Sequence, residues 1–228
     1  SYVGVREEFI ARAPLPLTDV AIGDDGAMYF TIGGRGAQSE LFRVTYTGKE
    51  STEPAGPASD DYLGLRKLRR SLEAFHGQQD PAAVQAGLTH LGHADRHIRY
   101  AARLALESQP VASWQNDIFT RQNPTAVING VIALARQGDK RLQPRLLGAL
   151  ASLGWARLGT EDRLGVLRAY SLTFIRMGAP DQAASATVLG QLDKAFPAGE
   201  HRLDRDLSQL LAYVNSPTVI DKTLALMK

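Results

Sequence analysis

The hydrophobic residues of this 228-residue chain change their period once, near residue 60, and that change limits what the chain can fold into. Before it, apolar residues come in short runs rich in β-branched and aromatic types. "REEFIAR", "LTDVAIG", "AMYFTIGG" and "LFRVTY" are separated by Gly, Pro and Asp. Such runs predict strands, and four of them at about ten-residue spacing predict one small antiparallel sheet the size of a propeller blade. "GDDGA" at Gly23–Ala27 predicts a turn with Gly26 at positive φ. After the change, apolar residues recur at helical spacing: first Leu65, Leu68, Leu72 and Phe75, and later Leu203, Leu207, Leu210, Leu211 and Val214. Between the two regimes lies "TGKESTEPAGPASDD", Thr47–Asp61, with two prolines, two glycines and no apolar periodicity. The organisation expected is a β unit at 1–50, a linker at 51–60 and a helical domain at 61–228.

Ten helices are expected, at 60–77, 80–91, 95–107, 110–120, 124–137, 141–153, 160–177, 181–195, 200–213 and 217–227. Asp80-Pro81, Asn123-Pro124 and Ser216-Pro217 each place an oxygen acceptor before a proline. That suits an N-cap followed by Pro at the first helical position. Helical hairpins beginning near Asp80, Pro110, Arg141 and Asp181 recur every 30 to 40 residues or so, the period of an α-solenoid; a compact bundle is the alternative. Aromatics make up 7% of the chain within a hydrophobic fraction of 44%, so the core must be built from Leu, Ala, Val and Ile. Such a core favours close-packed helices over a sandwich.

Charge and cysteine content exclude several classes. With 26 Lys and Arg against 24 Asp and Glu, the net charge of +2 gives no nucleic-acid-binding field. The absence of cysteine removes disulfides, thiolate catalysis, iron–sulfur ligation and a Cys-x-x-Cys-His haem attachment, and leaves the compartment open. The longest apolar run, "VINGVIALA" at Val127–Ala135, is too short to span a membrane. A start at Ser1, with neither Met nor a signal-peptide pattern, is expected of a chain processed, excised or numbered from within a longer protein.

Three of the five histidines fall in "THLGHADRHIRYAARLALE", Thr89–Glu107. Gly92 is expected to cap one helix and Asp95 to start the next, whose apolar face is Ile98, Ala101, Ala102 and Ala105. A metal needs ligands converging within about 2 Å of one point. A helix break between His90 and His97 works against that, so His90, His93 and His97 read as residues of a hairpin and no metal is assigned. Glycine-rich "TIGGRGAQSE", Thr31–Glu40, offers backbone N–H groups and Arg35 to an anion, or is simply a tight strand connection with a solvated arginine. "LRKLRR" concentrates Arg66, Lys67, Arg69 and Arg70, and Arg96, Arg99 and Arg103 form a stripe at i, i+3 and i+7. Either group suits an acidic partner; a wet helix face and inter-repeat salt bridges are the plainer uses. Trp114, Trp155, Tyr170 and Phe174 are assigned to the core. Asp24 and Asp25 adjoin in a turn and do not pair, while Asp204 and Asp206 flank Arg205 on a solvated face. No Ser/His/Asp set stands out, and no catalytic residue is named.

Two resemblances carry expectations beyond these. "HADRHIRYAARLAL", His93–Leu106, resembles the second helix of a HEAT repeat: an Asp, then Val or Ile followed by Arg, then small residues ending in Leu. Here these are Asp95, Ile98-Arg99, Ala101-Ala102 and Leu104. The resemblance implies that Asp95 and Arg99 bond between neighbouring repeats; Asn123–Gly138 lacks the corresponding Arg. "LPLTDVAIGDDGAMYFTIGGRGAQSELFRVTY" is similar to the last blade of sorbosone/glucose-dehydrogenase-like β-propellers. A blade, a linker and HEAT-like hairpins in this order resemble the middle of large secreted bacterial proteins that end in a c-type cytochrome module. That implies a periplasmic or secreted setting and haem c elsewhere in the parent, with no cofactor in this chain. Only one blade and no haem-attachment motif are present. The fold class expected is a mainly α, HEAT-like solenoid with a small N-terminal antiparallel β unit. Its role would be an interaction scaffold for a protein partner or for adjacent domains of the same polypeptide. The alternatives are the connector of a periplasmic oxidoreductase acting on a sugar or alcohol and, by a second HEAT-like likeness, the phycobilin-lyase type.

Overall fold

The computed structural model describes residues 6–34, 36–53 and 62–227. It divides into two compact units, Tyr2–Asp60 and Asp61–Lys228. Of the expected linker, residues 54–60 lie outside the described residues.

The first unit carries a three-stranded antiparallel sheet in the order β1 (Leu17–Ile22), β2 (Met28–Gly34), β3 (Ala37–Val44). Four strands were expected, and "REEFIAR" is not one of them. Its two large apolar residues, Phe9 and Ile10, are adjacent and would point to opposite faces of a strand, so the segment has no one-sided stripe to bury. The turn between β1 and β2 forms as expected: Gly26 has φ +75°, and the Gly23 N–H donates to the Ala27 carbonyl at 2.9 Å. On β2, Phe30 and Ile32 share a face and are buried, as is Ala27 in the turn before the strand. Phe30 stacks on its cross-strand partner Phe42 at 4.8 Å, the kind of pair that stabilises a ladder. The glycine-rich segment is the tight β2–β3 connection, with a register shift between Ile32 and Gly34 and Gly36 at φ +82°. Arg35 lies outside the described residues.

The second unit is helical. It contains α1 (Leu63–Glu73), α2 (Pro81–His90), α3 (Arg96–Glu107), α4 (Gln115–Ile118), α5 (Pro124–Gln137), α6 (Gln143–Ser152), α7 (Thr160–Met177), α8 (Gln182–Leu192), α9 (His201–Tyr213) and α10 (Val219–Leu226). Several starts are set locally by a side chain. The carboxylate of Asp80 accepts from Ala82 N–H at 2.8 Å, the Asn123 side chain from Ala126 N–H at 2.9 Å, and Asp181 from Ala184 N–H at 2.8 Å. Asp95 caps α3, accepting from His97 N–H at 2.8 Å and Ile98 N–H at 3.4 Å. Two expectations need correction. Ser216 is not the N-cap of α10, which begins after Thr218: its hydroxyl accepts the Thr218 N–H at 3.3 Å and donates to the Asp193 carboxylate. Gly92 does not end α2 in a left-handed turn; a Cβ there would meet the Asn123 Oδ1 at 2.7 Å, so close approach of the next hairpin requires the glycine.

Within this unit the helices touch in a regular order. α2 contacts α3, α4 contacts α5, α6 contacts α7 and α8 contacts α9, which are the expected hairpins. Their second helices also touch in succession, α3 to α5, α5 to α7 and α7 to α9, while α6 meets α8. α5 sits at the centre, with Ala126–Ile128 and Gly130–Ala135 all buried. Gly87 and Gly130 permit close helix approaches: an added Cβ would come within 2.6 Å of the Leu106 and Ile118 side chains respectively. Leu72, Ile98, Ala101 and Ala102 make a smaller cluster between α1 and α3. Trp114, Tyr170 and Phe174 are core residues as expected; Trp155 is half-buried.

Candidate functional site

Helix α3 supplies the first wall of the site. Its arginines at i, i+3 and i+7 share a face, but they have three different fates. Arg96 is exposed, with Nε 3.5 Å from the His97 ring. Arg99 turns back and donates from Nη1 to the His93 and Ala94 carbonyls, both at 2.7 Å, closing the turn ahead of its own helix. Arg103 is nearly buried, 12% exposed, and lies 3.1 Å from Glu107, whose side chain is only 4% exposed. The same carboxylate accepts from Arg136 Nε of α5 at 2.8 Å. Burial pulls the Arg103 pKa below its ordinary value, and the Glu107 charge opposes that shift.

These arginines line a groove of about 840 Å³ together with Tyr100 of α3, Thr125, Ile128, Asn129 and Ile132 of α5, and the Gly159–Asp162 start of α7 with Arg168. A second depression of about 670 Å³ continues it across α7 to α9, sharing Arg99, Glu161, Gly165 and Arg168 and adding Arg202, Arg205 and Asp206. Six arginines therefore face Glu161, Asp162 and Asp206 along one surface. Local pairing removes part of this charge. Arg202 bonds Glu161 and Glu200, each at 3.1 Å, and Arg205 bonds Asp206 at 2.8 Å. Asp162 accepts from the Thr125 hydroxyl at 2.8 Å, linking α7 to α5. Among the described residues, no carboxylate pairs with Arg96, Arg99 or Arg168, and Arg168 has no hydrogen-bond partner either. Tyr100 projects at the edge, 55% exposed, with the Arg103 guanidinium 5.1 Å from its ring centre. A surface of this kind holds anions by charge-assisted hydrogen bonds.

The other sequence candidates lie elsewhere. Arg66, Lys67, Arg69 and Arg70 sit on α1, where Arg69 pairs with Glu73 at 3.1 Å and Lys67 and Arg70 are exposed. His90 ends α2 and meets His93 with ring centres 6.0 Å apart. His93 accepts the Asp95 N–H at Nδ1, 3.0 Å, and so serves the turn, while His97 faces the groove. Among the described residues no three His, Asp or Glu side chains are grouped to hold a metal. The Asp95 and Arg99 bonds described above stay inside their hairpin. Links between neighbouring hairpins include Thr125 to Asp162, Asn129 Nδ2 to the Leu91 carbonyl at 3.3 Å, and Arg136 to Glu107. Asp25 is tied to Arg43 and Tyr29, which hold its pKa down to about 2. Asp204, expected on a solvated face, instead accepts the Ala198 and Gly199 N–H groups at 2.5 and 3.1 Å.

Sequence reasoning found the α3 part of the groove and missed Arg168, Arg202 and Arg205. Only the i, i+3 spacing of the last two hinted at a shared face. No family model, curated protein or solved structure matches the chain.

Proposed function

We propose that the helical unit is a HEAT-like α-solenoid acting as a non-catalytic interaction module inside a larger exported protein. The observation that carries this reading is the groove itself. It is assembled from α3, α5, α7 and α9, the second helices of four successive hairpins, so its length depends on how many hairpins stand in the row. Solenoids bury a continuous core between neighbours and leave such faces free for partners. The order of contacts, each hairpin to the next, supports the same architecture. Truncation tests it. A chain ending at residue 200 should lose helicity in proportion to the residues removed and still unfold cooperatively, because a solenoid's stability is nearly a sum over neighbours. A compact bundle cut at that point would lose its remaining helicity as well.

A second reading, the connector of a periplasmic propeller–cytochrome oxidoreductase acting on a sugar or alcohol, is favoured by one observation. Strand β1 presents Leu17, Val20 and Ile22 exposed at 58%, 52% and 70%, as a blade would toward sheets that complete it. Intact mass, terminal peptide mapping and a visible spectrum on protein from its natural source decide between them. A larger polypeptide with haem bands makes this chain the connector; a colourless species of 24.7 kDa beginning at Ser1 leaves a self-contained module.

A further inference from the structure

We propose that the groove across α3, α5, α7 and α9 binds an extended acidic polypeptide segment whose carboxylates meet Arg96, Arg99 and Arg168. This rests on the helical unit being an interaction module, and it names the partner's chemistry. The first argument is charge. The chain is nearly neutral overall, yet residues 62–228 hold 21 Lys and Arg against 14 Asp and Glu, and residues 1–61 hold 5 against 10. The excess cation of the helical half includes three groove arginines that pair with no carboxylate among the described residues. A guanidinium offers two parallel N–H donors matched to one carboxylate; that suits Arg96 and Arg168 to acidic side chains, while Arg99 keeps its Nη1 on the His93 and Ala94 carbonyls and adds its charge.

Length gives the second argument. Helices in contact lie about 8–10 Å apart, so three steps from α3 to α9 cover roughly 25–30 Å. An extended chain rising about 3.3 Å per residue fills that with eight or nine residues. Arg99 and Arg168 line both depressions, one from α3 and the other from α7, and Arg96 lies one turn before Arg99, so a chain crossing the helices meets all three. The third argument separates peptides from nucleic acid. Glu161, Asp162 and Asp206 are interleaved with the arginines along the groove. A polynucleotide carries a negative charge at every step and meets those carboxylates unfavourably; a mixed acidic peptide can place neutral or basic residues there. Exposed Tyr100, beside the start of the groove, offers a ring for an apolar side chain of the same segment.

The experiment is fluorescence anisotropy on the full chain with a fluorescein-labelled decapeptide of alternating Glu and Ser. The expected result is saturable one-to-one binding that weakens with salt, with none for the Gln/Ser decapeptide. Arg168→Gln should weaken binding about tenfold, the size of one lost charge-assisted hydrogen bond. Arg176→Gln removes the same charge from the same helix outside the groove and should leave affinity within about twofold, since a distant exposed charge is screened. Arg168 and Arg176 are both exposed, so neither variant threatens folding. Four outcomes overturn the proposal: no binding, equal binding of the Gln/Ser peptide, equal effects of the two variants, or displacement by inorganic phosphate or a single-stranded oligonucleotide as readily as by unlabelled peptide. If binding fails while the chain truncated at residue 200 unfolds as a solenoid should, the acidic partner is rejected and the interaction module stands.

Discussion

Glu107 holds two arginines with one carboxylate, and the burial of the three groups is unequal. Arg103 is enclosed with it, whereas the Arg136 side chain is 45% exposed. Removing the acid leaves a nearly buried cation without compensation, a change that costs about 3 kcal/mol in comparable sites. Glu107→Gln should therefore shift the urea midpoint strongly, while Arg136→Gln, breaking a half-solvated pair, should cost less than about 1 kcal/mol. Asp193 gives a pH-dependent counterpart. Ser216 holds its carboxylate below the ordinary value of 3.8, aided by Thr218 and Lys222 and opposed by burial. Because the folded pKa is depressed, the stabilisation is complete above the unfolded value and is lost as pH falls through the folded one. Asp193→Asn should lower Tm most at neutral pH, and the gap to the parent chain should begin to close below pH 3.8; a gap constant with pH would show that the carboxylate's charge contributes nothing. At this scale the caps were legible, since Asp80, Asp95 and Asn123 act on residues two or three positions away. Ser216 was misread because its partner lies 23 residues back, on the turn after α8.

Helices differ in how tightly their neighbours press on them, and glycine reports it. Gly130 of α5 lies against Ile118, and an added methyl would overlap that side chain. Gly148 of α6 has nothing within 4 Å of the same position. Replacing a helical Gly by Ala gains up to about 1 kcal/mol in propensity, while overpacking a core costs about 1–3 kcal/mol. Gly148→Ala should raise Tm, and Gly130→Ala should lower it despite the same gain in propensity; thermal melts of the two variants check both signs. The existence and extent of α2, α3, α5, α7 and α9 followed from period and caps. The expected helix at 110–120 did not form in one piece: a 3₁₀ turn at Val111–Ser113 precedes the four-residue α4. Trp114 lies between them, 1% exposed, with its indole N–H near the Gln109 carbonyl, so burying one large side chain decides the backbone there.

For the molecule as a whole, the two units differ in what they bury. Among the described residues the β unit buries the hydrophobic residues Ala27, Phe30 and Ile32, and so small a core gives little stability. The helical unit has one large continuous cluster running from Leu88 to Val219. Native-state hydrogen exchange should therefore show amides of β2 exchanging through a low-energy opening and those of α5 only on global unfolding; equal protection of the two would contradict this. The boundary between units was visible as the change of hydrophobic period. The groove was not, because the three arginines that complete α3's stripe arrive from α7 and α9, some 65 to 110 positions along the chain, and only folding brings them together.

One consequence follows from the way this core is written. Its buried residues are overwhelmingly Leu, Ala, Val and Ile, with α5 contributing an unbroken series of them. Aliphatic residues of similar volume exchange with little loss of stability, so each buried position stores little information about its identity. What the stacking does require is spacing: an acceptor at the starts of α2, α3, α5, α8 and α9, and a residue without a side chain where Gly87 meets Leu106 and Gly130 meets Ile118. Two chains can keep that punctuation, share the architecture and have few letters in common, because the grammar is conserved where the vocabulary is free to drift.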